Sequence, residues 1–235
     1  MKNCGITLPR DLLEAIFLVR RNRFVGEVDL AGERVAAHVP SSGRMGELLY
    51  PGARVFVARQ ARPGTKLPYR ILLAANNDLL VSVDSLLPNR LIGRALKDGC
   101  LPGLAGYTRI KPEASFGVGR FDFFLGGGEG TGCYLEVKSV TLVEDGLALF
   151  PDAPSERGAR HLEELAAARR EGYRAVVLFV VQREDGVHFS ANRARDPRFA
   201  GALDQAAAAG VEVLAVGCRV STGEVALDRE VEVCL

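Results

Sequence analysis

Residues 17–83 alternate apolar and polar positions over short stretches separated by turn residues, and past residue 84 the period changes. Alternation at period two marks strands. Segments 24–28, 35–39, 53–57, 69–73 and 79–83 carry it, with Ala31-Gly32-Glu33 placed to fold the first two into a hairpin. A short helical possibility near 45–49 interrupts them. About five short strands of this kind predict a small barrel, and an OB-like barrel is the natural candidate. From Pro88 the apolar positions take helical spacing, at Leu91, Ile92, Ala95 and Leu96. Pro88 is suited to open that helix and Gly99 to close it. Arg90, Arg94 and Lys97 lie on its other side. The boundary falls near Asp84, which predicts a first domain over 1–84 and a second over 85–235.

The second half alternates strands and helices. A strand is expected around 106–112, then a hairpin of 120–125 and 133–138 about a glycine-rich loop at 126–132. Ser155 is placed to cap a helix through Glu171, with Leu162, Leu165, Ala166 and Arg169 three and four apart. Residues 174–182 form a continuous apolar run, which suits a strand covered on both faces and paired in parallel. Asp196-Pro197 opens a further helix through Ala209, and 211–220 reads as another strand. This order predicts an α/β domain.

Composition narrows the class without naming a function. A chain of 235 residues that is 48% hydrophobic and 25% charged is ordinary for a globular protein. No apolar run approaches the ~20 residues of a membrane helix, and the first residues show no signal-peptide pattern. A cytoplasmic protein with no membrane partner is expected. The five cysteines are odd in number and lack metal-ligand spacing, so free thiols in a reducing compartment are expected. Net charge is +1, but residues 1–84 hold 12 Lys/Arg against 8 Asp/Glu, and residues 85–235 hold 18 against 21. The first domain is the more basic.

The chemistry concentrates in the hairpin. Side chains alternate along a strand, so Glu136 and Lys138 share one face and Leu135 and Val137 the other. If the loop spans 126–132, Leu125 pairs with Cys133, and the same register sets Asp122 opposite Glu136. Facing carboxylates repel by roughly 0.2–1 kcal/mol, and a divalent cation turns that repulsion into ligation. Mg²⁺ is typically held by one or two carboxylates with waters and substrate phosphate. Lys138 would then orient or deprotonate a water, or neutralise charge on a phosphate. The competing reading is a solvated surface hairpin, since Glu-x-Lys is common and glycine-rich loops leave register open.

Other charges have weaker signals. Arg20-Arg21-Asn22-Arg23-Phe24 could clamp phosphates and stack a base. Arg54, Arg59, Arg62, Lys66 and Arg70 add positive charge to the same domain. Asp152 reads as a helix cap, Arg157 as a phosphate contact, and His161 as a plain surface or capping residue. The glycines at 126–132 are hairpin punctuation, because no Gly-Lys-Ser/Thr follows and a strand comes next.

The order of elements, with Asp122 and Glu136-Val137-Lys138, resembles the PD-(D/E)xK nuclease superfamily. Nearly the whole chain resembles the sugar fermentation stimulation protein (SfsA) family. The matching stretches include Arg21-Asn22-Arg23-Phe24, Ala37-His38-Val39-Pro40, Ser42-Gly43-Arg44-Met45, Pro88-Asn89-Arg90-Leu91, Gly119-Arg120-Phe121-Asp122, Glu136-Val137-Lys138-Ser139 and Phe150-Pro151-Asp152-Ala153-Pro154. The resemblance implies a small OB-like β-barrel followed by an α/β PD-(D/E)xK nuclease-like domain. It implies DNA binding, with RNA as a second option, and a regulatory role in sugar metabolism. Carried over, Asp122 and Glu136 take metal-ligand roles for Mg²⁺ or Mn²⁺, with Glu113 a further ligand. Lys138 takes the catalytic lysine role, and Gln182 sits where the superfamily often places a glutamine. Arg20, Arg21, Arg23, Phe24, Arg44 and Arg157 are the expected nucleic-acid contacts. Phe121 stands where the superfamily has a Pro, a departure that removes no ligand. The rival expectations are a non-enzymatic DNA-binding regulator on a nuclease scaffold and a metal-binding module with no nucleic-acid partner.

Overall fold

The computed structural model describes residues 4–60, 67–117, 119–128 and 130–235. Strand β1 (Gly5–Thr7) comes first. Five strands then build the barrel: β2 (Leu13–Asn22), β3 (Val25–Leu30), β4 (Glu33–His38), β5 (Arg54–Arg59) and β6 (Tyr69–Asn76). β3 and β5 flank β2, β4 pairs with β3, and β6 pairs with β5. Parallel pairing of Ala37 with Tyr69 and His38 with Arg70 joins β4 to β6 and closes the ring. The result is a five-stranded OB barrel filled by Phe17, Val28, Val55, Val57 and Ile71, each at most 1% exposed.

The count of five strands holds, but their identity differs. β2, the longest barrel strand, was not among the expected segments. Glu14 and the run Arg20-Arg21 obscure its period, although Ala15 and Phe17 alternate inward. The segment expected at 79–83 forms β7 (Leu79–Ser82), which extends β6 outside the ring. Residues 45–49 make one turn and no helix: the Leu48 and Leu49 amides both donate to the Met45 carbonyl, at 3.0 and 2.8 Å.

Helix α1 (Leu87–Asp98) opens the second unit and ends at Gly99, whose left-handed φ of 65° donates its amide back to the last turn. Strands β8 (Arg109–Phe116), β9 (Gly119–Gly126), β10 (Cys133–Val140), β11 (Leu142–Glu144) and β12 (Leu147–Phe150) follow. Then come α2 (Glu156–Arg170), β13 (Arg174–Val181), β14 (His188–Ala191), α3 (Pro197–Ala208), β15 (Glu212–Val220), β16 (Glu224–Glu230) and β17 (Glu232–Val233). The main sheet runs β1-β16-β15-β13-β10-β9-β8, and a smaller one runs β11-β12-β14-β17. β10, β13 and β15 are parallel. β13 lies between two cores, as its apolar run requires. Val176, Leu178 and Val180 pack on the side of α1, and Val177, Phe179 and Val181 on the side of α2 and α3. Among the described residues no helix is long and apolar enough to cross a membrane.

Two expectations about the chain's beginning are corrected. β1 pairs with β16, so residues 5–7 belong to the second unit's sheet although they precede the barrel. That pairing brings Cys4 beside Cys100, 96 residues away, and the two form a disulfide; Cys133, Cys218 and Cys234 are free. Sequence spacing has no access to a contact made by strand pairing at this distance. The two units share one core, in which Ala58, Leu72 and Leu73 of the barrel meet Leu87, Leu91 and Leu178. The Ser82 amide also donates to the Gln182 carbonyl at 3.1 Å, just past β13.

Candidate functional site

The β9–β10 ladder pairs Leu125 with Cys133, Phe124 with Tyr134 and Phe123 with Leu135, which is the expected register. It stops one pair before Asp122 and Glu136. There Asp122 turns its carboxylate into the gap: Oδ2 accepts the Val137 amide at 2.8 Å, and Oδ1 accepts Asn89 Nδ2 of α1 at 2.6 Å. Strand alternation does the rest. Leu135 and Val137 enter the core beside α1, while Glu136 and Lys138 point to the face that α2 covers.

Glu136 is 4% exposed. Its Oε1 accepts from Lys138 Nζ at 2.6 Å and from His161 Nδ1. Its Oε2 is buried without a hydrogen-bond partner among the described residues. Arg157 Nε donates to His161 Nε2 at 3.2 Å. An arginine nitrogen only donates, so Nε2 accepts and the imidazole proton sits on Nδ1, facing Glu136.

The two carboxylates are pushed apart in acidity. Burial, then the charge of Glu136, push Asp122 up to about 6, against the Val137 amide, Lys138 and Asn89. Burial also pushes Glu136 upward, but hydrogen bonds from His161 and Lys138 outweigh it and hold Glu136 below the usual carboxylate range. The split follows from unequal hydrogen bonding: Glu136 is stabilised as an anion, and its charge opposes ionisation of Asp122. Among the described residues, no group of three His, Cys, Asp or Glu side chains is gathered as a ready cage.

Lys138 forms part of the floor of a cleft of 510 Å³ between the units. Arg23 and loop 41–43 wall it on the barrel side, and loop 151–157 on the other. A second hollow of 850 Å³ continues it past Arg44, Glu47 and Arg195. The walls are tied together: Asp152 Oδ2 accepts the Met45 amide at 3.2 Å, and a Cβ at Gly43 would stand 2.6 Å from that same oxygen. Only glycine allows this approach.

The structure brings Asp122, Glu136 and Lys138 together and sets Arg23, Arg44 and Arg157 along the cleft. Phe24 is 49% exposed beside Arg23. Four other residues go elsewhere. Arg20 spends its guanidinium on the carbonyls of Arg23, Ser41, Gly43 and Arg44, at 2.6 to 3.0 Å, so it builds the loop and has little left for phosphate. Arg21 pairs with Glu27 at 2.7 Å. Glu113 sits on exposed β8, paired with Arg120 at 2.8 Å, and does not join the acids. Gln182 donates to Ser139 at 2.9 Å, on the face of β10 opposite Lys138. Of the additional basic residues, Arg70 pairs with Asp84 at 2.7 Å, and Arg62 and Lys66 lie outside the described residues.

Sequence reasoning missed Asn89 and misjudged His161 and Asp152. His161 is buried, not a surface or cap residue. The signal was present, because Gly158, His161, Leu162 and Leu165 fall on one helical face and all are buried. Asn89 left no comparable signal: its role depends on how α1 docks. Asp152 bridges to the barrel, and Ser155 caps α2 through the Gly158 amide at 3.0 Å.

Two family models match the chain. Residues 18–83 match the SfsA N-terminal OB domain, and residues 86–224 match the sugar fermentation stimulation protein RE domain. A sugar fermentation stimulation protein homolog of Desulforamulus reducens is 51% identical over 99% of this chain and 96% of its own. The homolog of Moorella thermoacetica is 45% identical over 98% of this chain and 100% of its own. A solved structure of Pyrococcus furiosus SfsA in complex with Ca²⁺ superposes with a TM-score of 0.89, at 31% identity, covering 97% of each chain.

Proposed function

The chain belongs to the sugar fermentation stimulation protein family, and from that premise we propose that it is a divalent-metal-dependent phosphodiesterase acting on nucleic acid, DNA first. The observation that carries this is Glu136 Oε2: a buried carboxylate oxygen without a partner among the described residues, beside a half-buried second carboxylate that resists ionising. Leaving such a group unpaired is costly, and a cation would satisfy Oε2 while offsetting the repulsion between the two carboxylates. The all-oxygen donor set suits Mg²⁺ or Mn²⁺, with waters and substrate completing the shell. The Ca²⁺ held by the Pyrococcus furiosus relative supports a divalent cation here.

Asp122 and Glu136 would hold the metal, which supplies a polarised phosphate oxygen and an acidified water when bound. Lys138, fixed by Glu136, presents its ammonium on the floor of the cleft, where it steadies charge on the phosphodiester. Arg23, Arg44 and Arg157 hold the strand's phosphates along the cleft, and Phe24 offers an exposed ring for a base. Asn89 and the Val137 amide keep Asp122 aimed into the gap. Purified protein should cleave DNA with Mg²⁺ or Mn²⁺ and not with EDTA, and Glu136→Ala should remove the cleavage. Equal cleavage by that variant sinks the proposal.

One observation favours a second reading, a DNA-binding regulator of sugar metabolism that does not cut. Glu136 Oε1 is already filled by Lys138 and His161, and no third metal-ligating side chain joins the acids among the described residues. That reading expects salt-sensitive DNA binding that persists in Glu136→Ala, with no metal-dependent product at any time.

A further inference from the structure

A metal-binding carboxylate needs one oxygen free and the group as a whole held still. Glu136 meets both needs through unequal treatment of its two oxygens. Oε1 is approached from two directions, by Lys138 along the strand and by His161 from α2, while Oε2 is left bare. His161 has little freedom. It is 5% exposed, it shares the buried face of α2 with Leu162 and Leu165, and Phe121 meets its ring edge-on at 6.4 Å. Its Nε2 is taken by Arg157 and its Nδ1 by Glu136, so neither ring nitrogen is left for a cation.

We infer that His161, locked by Arg157 in the form protonated at Nδ1, is the positioning residue that holds Glu136 Oε1 and so presents Oε2 to the metal. This rests on the metal reading above. It assigns the usual order of a metal centre in reverse: the carboxylate binds and the histidine stands behind it. Removing the partner behind a ligand typically costs about 10- to 100-fold in metal affinity. Arg157 then has two duties on one side chain. Its Nε sets the histidine tautomer, while its terminal nitrogens have no partner among the described residues and line the cleft.

The test is Mn²⁺ affinity of the full chain, titrated by calorimetry after EDTA treatment, with melting curves in EDTA as the folding control. His161→Asn keeps a donor where Nδ1 lies, and His161→Leu fills the space without one. His161→Leu should bind Mn²⁺ about 10- to 100-fold more weakly and His161→Asn within about threefold of wild type. Arg157→Ala should also weaken binding at unchanged melting temperature. Removing a nearby positive charge would by itself tighten cation binding, so weakening is the mark of the Arg157–His161 link. Equal affinity in His161→Leu overturns the inference, as does equal loss in a folded His161→Asn. If His161→Leu does not fold, Arg157→Ala decides alone: weaker binding supports the inference, and equal or tighter binding overturns it. Wild-type protein that binds no Mn²⁺ removes the metal reading and this inference with it. Normal Mn²⁺ binding with unaffected variants removes the inference only.

Discussion

On β10, charged side chains two residues apart converge. Glu136 and Lys138 meet at 2.6 Å, Asp122 enters from the neighbouring strand, and His161 closes the group from α2. At the open end of the barrel, arginines that are just as close in sequence diverge. Arg20 turns inward to four carbonyls, Arg21 turns to Glu27, and Arg23 faces the cleft. The difference lies in the backbone under them. A strand flanked by partners imposes a period of two on its side chains, so charge spacing converts directly into geometry. The end of β2 carries register shifts against β3 at Phe17/Val19 and Arg20/Asn22, and there spacing loses its meaning.

The comparison can be broken most severely at Glu136. Glu136→Ala should lower metal-dependent cleavage by about 10³-fold or more, near 4 kcal/mol of transition-state stabilisation, in a single-turnover assay on labelled DNA. Arg20→Ala should act on stability instead. Four carbonyls lose a charged donor, a loss of about 2–4 kcal/mol, and the melting temperature should fall by roughly 5–10 °C. The salt dependence of DNA binding should keep its slope. A changed slope with an unchanged melting temperature would make Arg20 a phosphate contact after all.

The two acids of β9 and β10 should separate by pH. Asp122, raised to about 6, favours folding when protonated, so metal-free protein should lose stability as pH rises from about 4 through about 6. Glu136, held low, has the opposite sign: its contribution is present above its ordinary range and is lost as pH falls through its lowered pKa. A cation needs Asp122 ionised, so Mn²⁺ affinity should fall about tenfold per unit below pH 6. A flat calorimetric profile from pH 5 to 7 would contradict the assigned environment of Asp122. Smaller still, Arg23→Ala should lower the salt slope of DNA binding by about 0.7–0.9 without moving the melting temperature. Arg21→Ala and Glu113→Ala should leave cleavage and metal affinity where they are, because both side chains end in exposed ion pairs.

Much of the site was legible where local rules govern. The hairpin loop length predicted the register that the β9–β10 ladder keeps. The apolar run at 174–182 predicted a strand buried on both faces, Ser155 caps the helix it was expected to cap, and Asp196-Pro197 opens the next as expected, with Asp196 its cap. Legibility failed where a side chain's partner lies far along the chain. Glu113 has the right residue type at the right distance upstream, yet β8 is an exposed edge strand and its backbone at 113 is left-handed, with φ 53°. Gln182 follows the right strand but alternates to the wrong face. His161 looked like a surface residue because the helix period was read on Leu162, Leu165, Ala166 and Arg169, a series that begins one residue past it.

The sequence by itself determined which face of β10 holds charge, because the pleat leaves one answer; it set Asp122 opposite Glu136 only for one span of the glycine-rich loop, and the ladder keeps that register up to the pair before them. It also determined the succession of a barrel and an α/β unit, because hydrophobic period follows from backbone geometry. Only the tertiary structure decided that Asn89 steadies Asp122, that His161 and Arg157 stand behind Glu136, that Arg20 is spent on a loop, and that Cys4 reaches Cys100. Each of these depends on two segments being packed against each other, and no periodicity within one segment encodes the position of another.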